Sequence, residues 1–297
     1  MSDTPFVSVI VPVYNAAATV HLCLQALVAL DYPADRHEVI VVDNGSSDRT
    51  REILAHYPLV VLAEPGRGSY RARNRGAAAA QGTILAFTDA DCVAERTWLR
   101  ALVSGFTEPG IGCVAGEVLS PLSRNAVEEF ARRRDLLGQR QTLGHPYRPY
   151  PITANCAYRM DVFRRLGGFR PEMQSGGDAD LAWRMQTDLQ LRVAFSPDAI
   201  VVHYHRSTLG GLYAQSRKYA IGAMDLARYH RLPQPPLLRC SARLVRAAAR
   251  SAVAVPWRWI RHGGSFRAAE VMEPICDVVW RAGEVAGLFA GRRSLGR

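Results

Sequence analysis

The chain has 297 residues, 48% of them hydrophobic and 22% charged, enough to bury one substantial core as a single large domain or as a domain with an appendage. Its formal charge of +10 points to an anionic partner, which composition alone leaves as a nucleotide, a nucleic acid or an acidic membrane face. Six scattered cysteines without a Cys-x-x-Cys pair argue against a zinc site and for reduced, buried thiols, and no apolar stretch reaches the roughly 18 residues that span a bilayer.

Met1 to Thr4 lead directly into an apolar run with no basic or signal-like segment, an arrangement that predicts a chain retained in the cytoplasm. Val7 to Val13 reads as a buried strand, followed by helical apolar spacing over Ala16–Leu30. His37–Val42 is a second strand, and Ser46 or Ser47 can cap a helix over Asp48–His56. A strand over Leu59–Ala63, a helix over Ser69–Gln81 and a strand over Thr83–Thr88 complete an alternation that predicts a parallel sheet with crossover helices. Beyond it come a helix over Glu95–Phe106 and a strand over Ile111–Val118. The arginine-rich stretch Ser120–Pro151 reads as one helix and a long, mobile loop. Ile152–Arg159, Arg192–Phe195 and Ala199–His203 read as strands, and Asp161–Leu166, Asp178–Asp188 and Ser207–Tyr229 as helices. The Pro233–Pro236 cluster marks a boundary between a larger domain (1–232) and a basic, amphipathic helical C-terminal region (233–297).

Chemistry concentrates at strand ends. Phe87-Thr88-Asp89-Ala90-Asp91 puts two carboxylates one residue apart after an apolar strand, a pattern that suits Mg²⁺ or Mn²⁺ shared with phosphate oxygens and equally a solvated acidic turn. Asp43 closes the second strand beside Gly45, either to accept a hydrogen bond from a nucleotide base or to cap the next helix. Pro65 to Gly76 is too poor a match for a dinucleotide fingerprint, yet its arginines could serve a diphosphate or form a solvated basic face. Asp178 falls at a helix N-terminus, where the dipole favours the ionised form that a general base needs and where capping alone would also place an aspartate.

In this order the stretches resemble glycosyltransferase family 2, the inverting enzymes of the GT-A fold that use nucleotide-sugar donors; the likeness runs from about Val7 to His205. It implies an α/β fold with a Rossmann-like, mostly parallel sheet flanked by helices, to which the residues after the Pro233–Pro236 cluster add a C-terminal helical appendage. It assigns donor contacts to Pro12, Tyr14, Asn15, Asp43, Arg73, Asn74, Asp89, Ala154 and Asn155, and metal contacts to Asp91, Asp89 and His203, with His205 the alternative histidine. Asp178 carries over as the base, with Asp180 in reserve; the family's usual Glu-Asp is Gly177-Asp178 here. The implied reaction is metal-assisted single displacement from a UDP-, GDP- or dTDP-sugar to a glycan or lipid-linked acceptor. A nucleotidyltransferase and a non-catalytic binding protein are the competing readings.

Between Leu237 and Ala269 there are seven arginines and no acidic residue, interleaved with Leu, Val, Ala, Trp257, Trp259 and Phe266. This is the pattern of a helix lying in a membrane interface at the cytoplasmic face, or of helices packed on protein with solvated arginines. No motif supports a nucleic-acid partner.

Overall fold

A computed structural model describes residues 4–263 and 269–295. In chain order the elements are β1 (Val7–Val13), α1 (Val20–Val28), β2 (His37–Asp43), α2 (Thr50–Leu54), β3 (Val60–Ala63), α3 (Ser69–Ala79), β4 (Ile84–Thr88), β5 (Cys92–Ala94), α4 (Trp98–Ser104), β6 (Ile111–Leu119), α5 (Ala126–Arg133), α6 (Gln139–Leu143), β7 (Asn155–Arg159), α7 (Met160–Arg165), α8 (Gly177–Asp188), β8 (Arg192–His203), α9 (Leu209–Tyr229), α10 (Leu237–Arg261) and α11 (Ala269–Leu295). They fall into two compact units, Met1–Leu119 with Leu137–Met173 and Gly177–Tyr204, and Ser120–Leu136 with Gln174–Gly176 and His205–Arg297.

The first unit carries an eight-stranded sheet in the order β3-β2-β1-β4-β7-β6-β8-β5. Pairings β2–β3, β1–β2, β1–β4 and β6–β8 are parallel, and β4–β7, β6–β7 and β5–β8 antiparallel, so the sheet is mixed with a parallel N-terminal half. Alternation along β1 sends Val7, Val9 and Val11 into a core with Val20, Leu24 and Leu27 of α1 and Trp98, Leu99 and Leu102 of α4. Ile10 of β1 lies under α3, which sits so close that a Cβ on Gly76 would stand 2.6 Å from the Ile10 Cγ2. That close approach brings the middle of α3, and with it Arg73, onto the sheet.

Several expected elements differ. Neither Ser46 nor Ser47 caps α2; the Asp48 carboxylate accepts from the Thr50 N–H at 3.0 Å instead. β5 was not foreseen, being three residues long, and the two strands expected over 192–203 are one, with a register shift against β6 between Gly116 and Glu117. The stretch 120–151 forms two helices. Its final loop is held rather than loose: His145, Tyr147 and Tyr150 surround the Trp183 ring, whose Nε1–H donates to the Arg148 carbonyl at 3.0 Å.

The second unit is helical. α9 packs with α10 and α11 through Ala220, Met224, Cys240 and Leu288, and α5 joins through Phe130 against Leu212 and Cys276. Its division from the first unit does not fall at Pro233–Pro236, because α9, which precedes that cluster, belongs with the helices that follow it. All six cysteines are buried and free. Among the described residues no helix is long and apolar enough to cross a membrane. Met1–Asp3, Phe266 and the chain end beyond Leu295 lie outside the described residues.

Candidate active site

Parallel pairing of β1 with β2 and β4 puts their carboxyl ends at one edge, and the residues read as functional cluster there. After β1 the chain turns at Asn15 with φ of 47°, a left-handed conformation that asparagine tolerates. The Asn15 side-chain oxygen accepts from the Ser47 N–H at 2.8 Å, and the Asn15 N–H donates to Ser46 Oγ at 3.0 Å, tying the β1 turn to the β2 turn. Tyr14 stays half exposed, with the Arg67 guanidinium over its ring. Asp43 is buried and accepts from the Ser46 N–H at 3.0 Å and from Arg51 Nε at 2.6 Å. Burial pushes its carboxyl up, but these hydrogen bonds outweigh it and leave Asp43 below the usual carboxylate value, ionised at neutral pH.

Asn44, which sequence reasoning passed over, organises the loop from β3 to α3. Its Nδ2 donates to the carbonyls of Glu64 and Gly66, and its Oδ1 accepts from the Gly68 N–H. α3 then turns Arg73 inward, where it is 3% exposed and paired with Asp89, while Arg71 and Arg75 face solvent. The basic segment is therefore both things the sequence allowed: an inward cation and an outward solvated face. Arg73 Nε is buried without a hydrogen-bond partner.

Asp91 and Asp89 diverge. Asp89 meets Arg73, whereas antiparallel pairing of Cys92 with His203 brings Asp91 beside the end of β8, where its backbone carbonyl accepts from the Tyr204 N–H at 2.9 Å. His203 Nε2 lies 3.4 Å from Asp91 Oδ1, and one ligand atom each of Asp91, Cys92 and His203 fall within 4.8 Å of one another. Burial, with Asp91 and Asp89 nearby, pushes the Cys92 thiol far up. His205 belongs elsewhere, its Nε2 2.7 Å from Ser120 Oγ.

Asp178 stands in the first turn of α8 as expected. Its environment is not the one the helix dipole alone suggests: desolvation raises its carboxyl above the ordinary aspartate value, against the opposing pull of the Ala179 N–H and of Arg73. Tyr70, one helical turn before Arg73, was not singled out by any spacing. Its hydroxyl accepts from the Gly177 N–H at 2.9 Å and lies 3.5 Å from Asp178 Oδ1, and its ring stacks on Phe169 at 5.2 Å. Tyr70→Phe leaves that N–H unpaired, and we expect a loss of about 1–3 kcal/mol in urea unfolding.

Three residues read as donor contacts are engaged in holding the fold. Asn74 exchanges hydrogen bonds with the Phe169 N–H and carbonyl at 3.0 and 2.8 Å. Asn155 is wholly buried, and Ala154 is buried with its carbonyl accepting from Thr88 Oγ1. Asp180 is fully buried between Arg170 and Arg184, and Arg184 also clamps the carbonyls of Leu166 and Gly168.

The glycosyl transferase family 2 pattern matches residues 8–167, which contain the β1 turn, Asp43, Arg73, Asp89 and Asp91. The chain belongs to glycosyltransferase family 2. It is 35% identical over 210 residues to glycosyltransferase AglE of Haloferax volcanii, covering 68% of each chain, and 33% identical over 241 residues to the pre-mycofactocin glycosyltransferase of Mycobacterium tuberculosis, covering 78% of this chain and 50% of that one. The fold is that of a mannosyltransferase of Pyrobaculum calidifontis solved with GDP-Man and Mn²⁺, with a TM-score of 0.68 at 21% identity over 99% of this chain and 88% of that one. A TM-score of 0.56 at 24% identity relates it to the glucosyl-3-phosphoglycerate synthase of Mycobacterium tuberculosis in complex with Mn²⁺, UDP and glucosyl-3-phosphoglycerate, over 77% and 81% of the two chains. The protein is thus a family 2 glycosyltransferase with the GT-A fold, and the binding-protein and nucleotidyltransferase readings fall away.

Proposed function

We propose that this glycosyltransferase inverts: it moves a sugar from a UDP-, GDP- or dTDP-linked donor to a hydroxyl of a glycan or lipid-linked saccharide at the cytoplasmic face of the membrane. The observation that carries the reading is the convergence on α3, whose Arg73 pairs with Asp89 and whose Tyr70 touches Asp178. Asp178 takes the acceptor hydroxyl proton while that oxygen attacks the anomeric carbon and the bond to the nucleoside diphosphate breaks. Its raised carboxyl holds a proton more firmly than an ordinary aspartate, which strengthens it as a base. Arg73 offers a fixed cation between the base and Asp89, suited to the charge gathering on the departing diphosphate. Asp43 would accept from the base of the nucleotide, with Tyr14, Asn15 and Pro12 lining the same edge.

The residues present fit a divalent cation: Asp91 and His203 would hold it with Asp89 nearby, and an imidazole in the set suits Mn²⁺ better than Mg²⁺. Bound there, such an ion supplies charge neutralisation on the leaving group.

The test is thermal unfolding of the protein against UDP-, GDP- and dTDP-sugars with and without Mn²⁺. A donor at a hundredfold over its dissociation constant adds about 2.7 kcal/mol. We expect a Mn²⁺-dependent shift for one nucleotide class and its loss in Asp91→Ala; absence of any shift across the panel would overturn the site.

A further inference from the structure

α10 has two faces of opposite character. Cys240 and Ala247 are buried on one side, and Arg243 and Arg258 reach Glu284 and Glu273 of α11. On the other side Leu238, Val245, Val253 and Ile260 are 86%, 67%, 75% and 72% exposed, and Trp257 is 59% exposed. Steps of seven and eight residues bring these side chains to one side of a helix of 3.6 residues per turn. The stripe is continuous, because the positions between them on that side are Ala242, Ala249 and Pro256, all exposed. Arg239, Arg246 and Arg250 follow along one flank at exposed positions, and the helix carries no acidic residue. Water-exposed apolar area of this extent on a 25-residue helix marks a surface that meets something.

We propose that this face of α10 docks on an anionic lipid bilayer, with the stripe in the headgroup boundary and the flanking arginines on lipid phosphates. Charge decides among occupants. A second copy meeting face to face would set arginines against arginines, a like-charge contact. A nucleic acid would use the arginines and leave the apolar stripe in water. An anionic interface uses both, apolar area below the headgroups and cations among them. The inference rests on the glycosyltransferase reading only for its consequence, that the acceptor is lipid-linked; the docking itself is independent of catalysis.

The experiment is cosedimentation of the full-length protein with phosphatidylcholine vesicles and with vesicles of phosphatidylcholine and phosphatidylglycerol in equal parts. Binding to the anionic vesicles well above the neutral ones is the expected result. Replacing Arg239, Arg246 and Arg250 by Gln should lower partitioning by about a hundredfold, roughly fivefold for each charge. The pair Val245→Asp and Val253→Asp should lower it too, with circular dichroism unchanged because both side chains are exposed. Asp178→Asn should sediment like the parent protein, which separates a failure of docking from a failure of the catalytic reading. Equal partitioning to both vesicles, or none to either, overturns the proposal. So does binding that the aspartate pair leaves intact while duplex DNA abolishes it, or self-association in the ultracentrifuge that this pair removes with no change in vesicle binding.

Discussion

Asp178→Asn should abolish sugar transfer, by a factor of about 10²–10⁴ in kcat, while making the protein more stable at neutral pH. The two effects have one cause. Desolvation raises the Asp178 carboxyl in the folded protein, so the folded state holds this proton more tightly than the unfolded chain does. The stabilisation from the protonated form is fully present below the unfolded value near 3.9 and is lost as pH rises through the higher folded value, so at neutral pH the ionised group burdens the fold. An asparagine of the same shape still accepts from the Ala179 N–H through its side-chain oxygen, and it carries no charge to desolvate. Thermal unfolding of the two proteins at a series of pH values should show the variant ahead at pH 7 and the gap closing towards acid. In the parent enzyme kcat/KM should fall on the acid side with a midpoint above that of an ordinary aspartate. A variant that loses stability at neutral pH, or retains turnover, would remove Asp178 from the role of base.

Tyr70 shows why part of this arrangement could not be read in advance. The strand-ending acids Asp43, Asp89 and Asp91 were legible because buried parallel strands announce themselves as apolar runs and ligands collect at their ends. Asp178 was legible as the start of a helix, but its contact with Tyr70, more than a hundred residues earlier, and the burial that raises its carboxyl are not local features. No local pattern distinguishes an inward Tyr70 or Arg73 from the solvated Arg71 and Arg75 on the same helix; only the packing of α3 on the sheet sorts them. His203 rather than His205 is brought beside Asp91 likewise by strand pairing, through β5, a three-residue strand with too few positions to show an alternation. Trp183 and its ring of aromatic neighbours hold a loop that composition alone reads as mobile. Short elements and long-range cages are set by tertiary contacts, and these are where the sequence reading fell short.

Asn155→Ala should cost about 3–5 kcal/mol in stability and leave the affinity for donor nearly unchanged in whatever fraction remains folded. The resemblance to the family assigns this residue to the donor, but its surroundings argue otherwise. β6 and β8 pair in parallel until Gly116 faces Ser196; the next pairing is Glu117 with Ile200, so three residues of β8 loop out of register. Carbonyls beside such an irregularity lack ladder donors. The Asn155 amide, arriving from β7, donates to two of them, Glu117 and Ala199, at 2.7 Å each, and its oxygen accepts from the buried Trp98 Nε1–H at 2.8 Å. Gly116 completes the arrangement, since a Cβ there would stand 2.3 Å from the Ala199 carbonyl oxygen and 2.4 Å from the Asn155 amide. Truncation to alanine orphans the indole N–H inside the core and opens a cavity beside it, and at about 2–4 °C for each kcal/mol the midpoint should fall by roughly 10 °C. Asn155→Asp is the sharper probe. A carboxylate still accepts from Trp98 but presents oxygen to two carbonyls, so this variant should be at least as unstable as alanine at neutral pH and recover in part as acid protonates it. If instead Asn155→Ala unfolds like the parent and raises KM for the donor, the amide touches substrate and the bulge is held by other means.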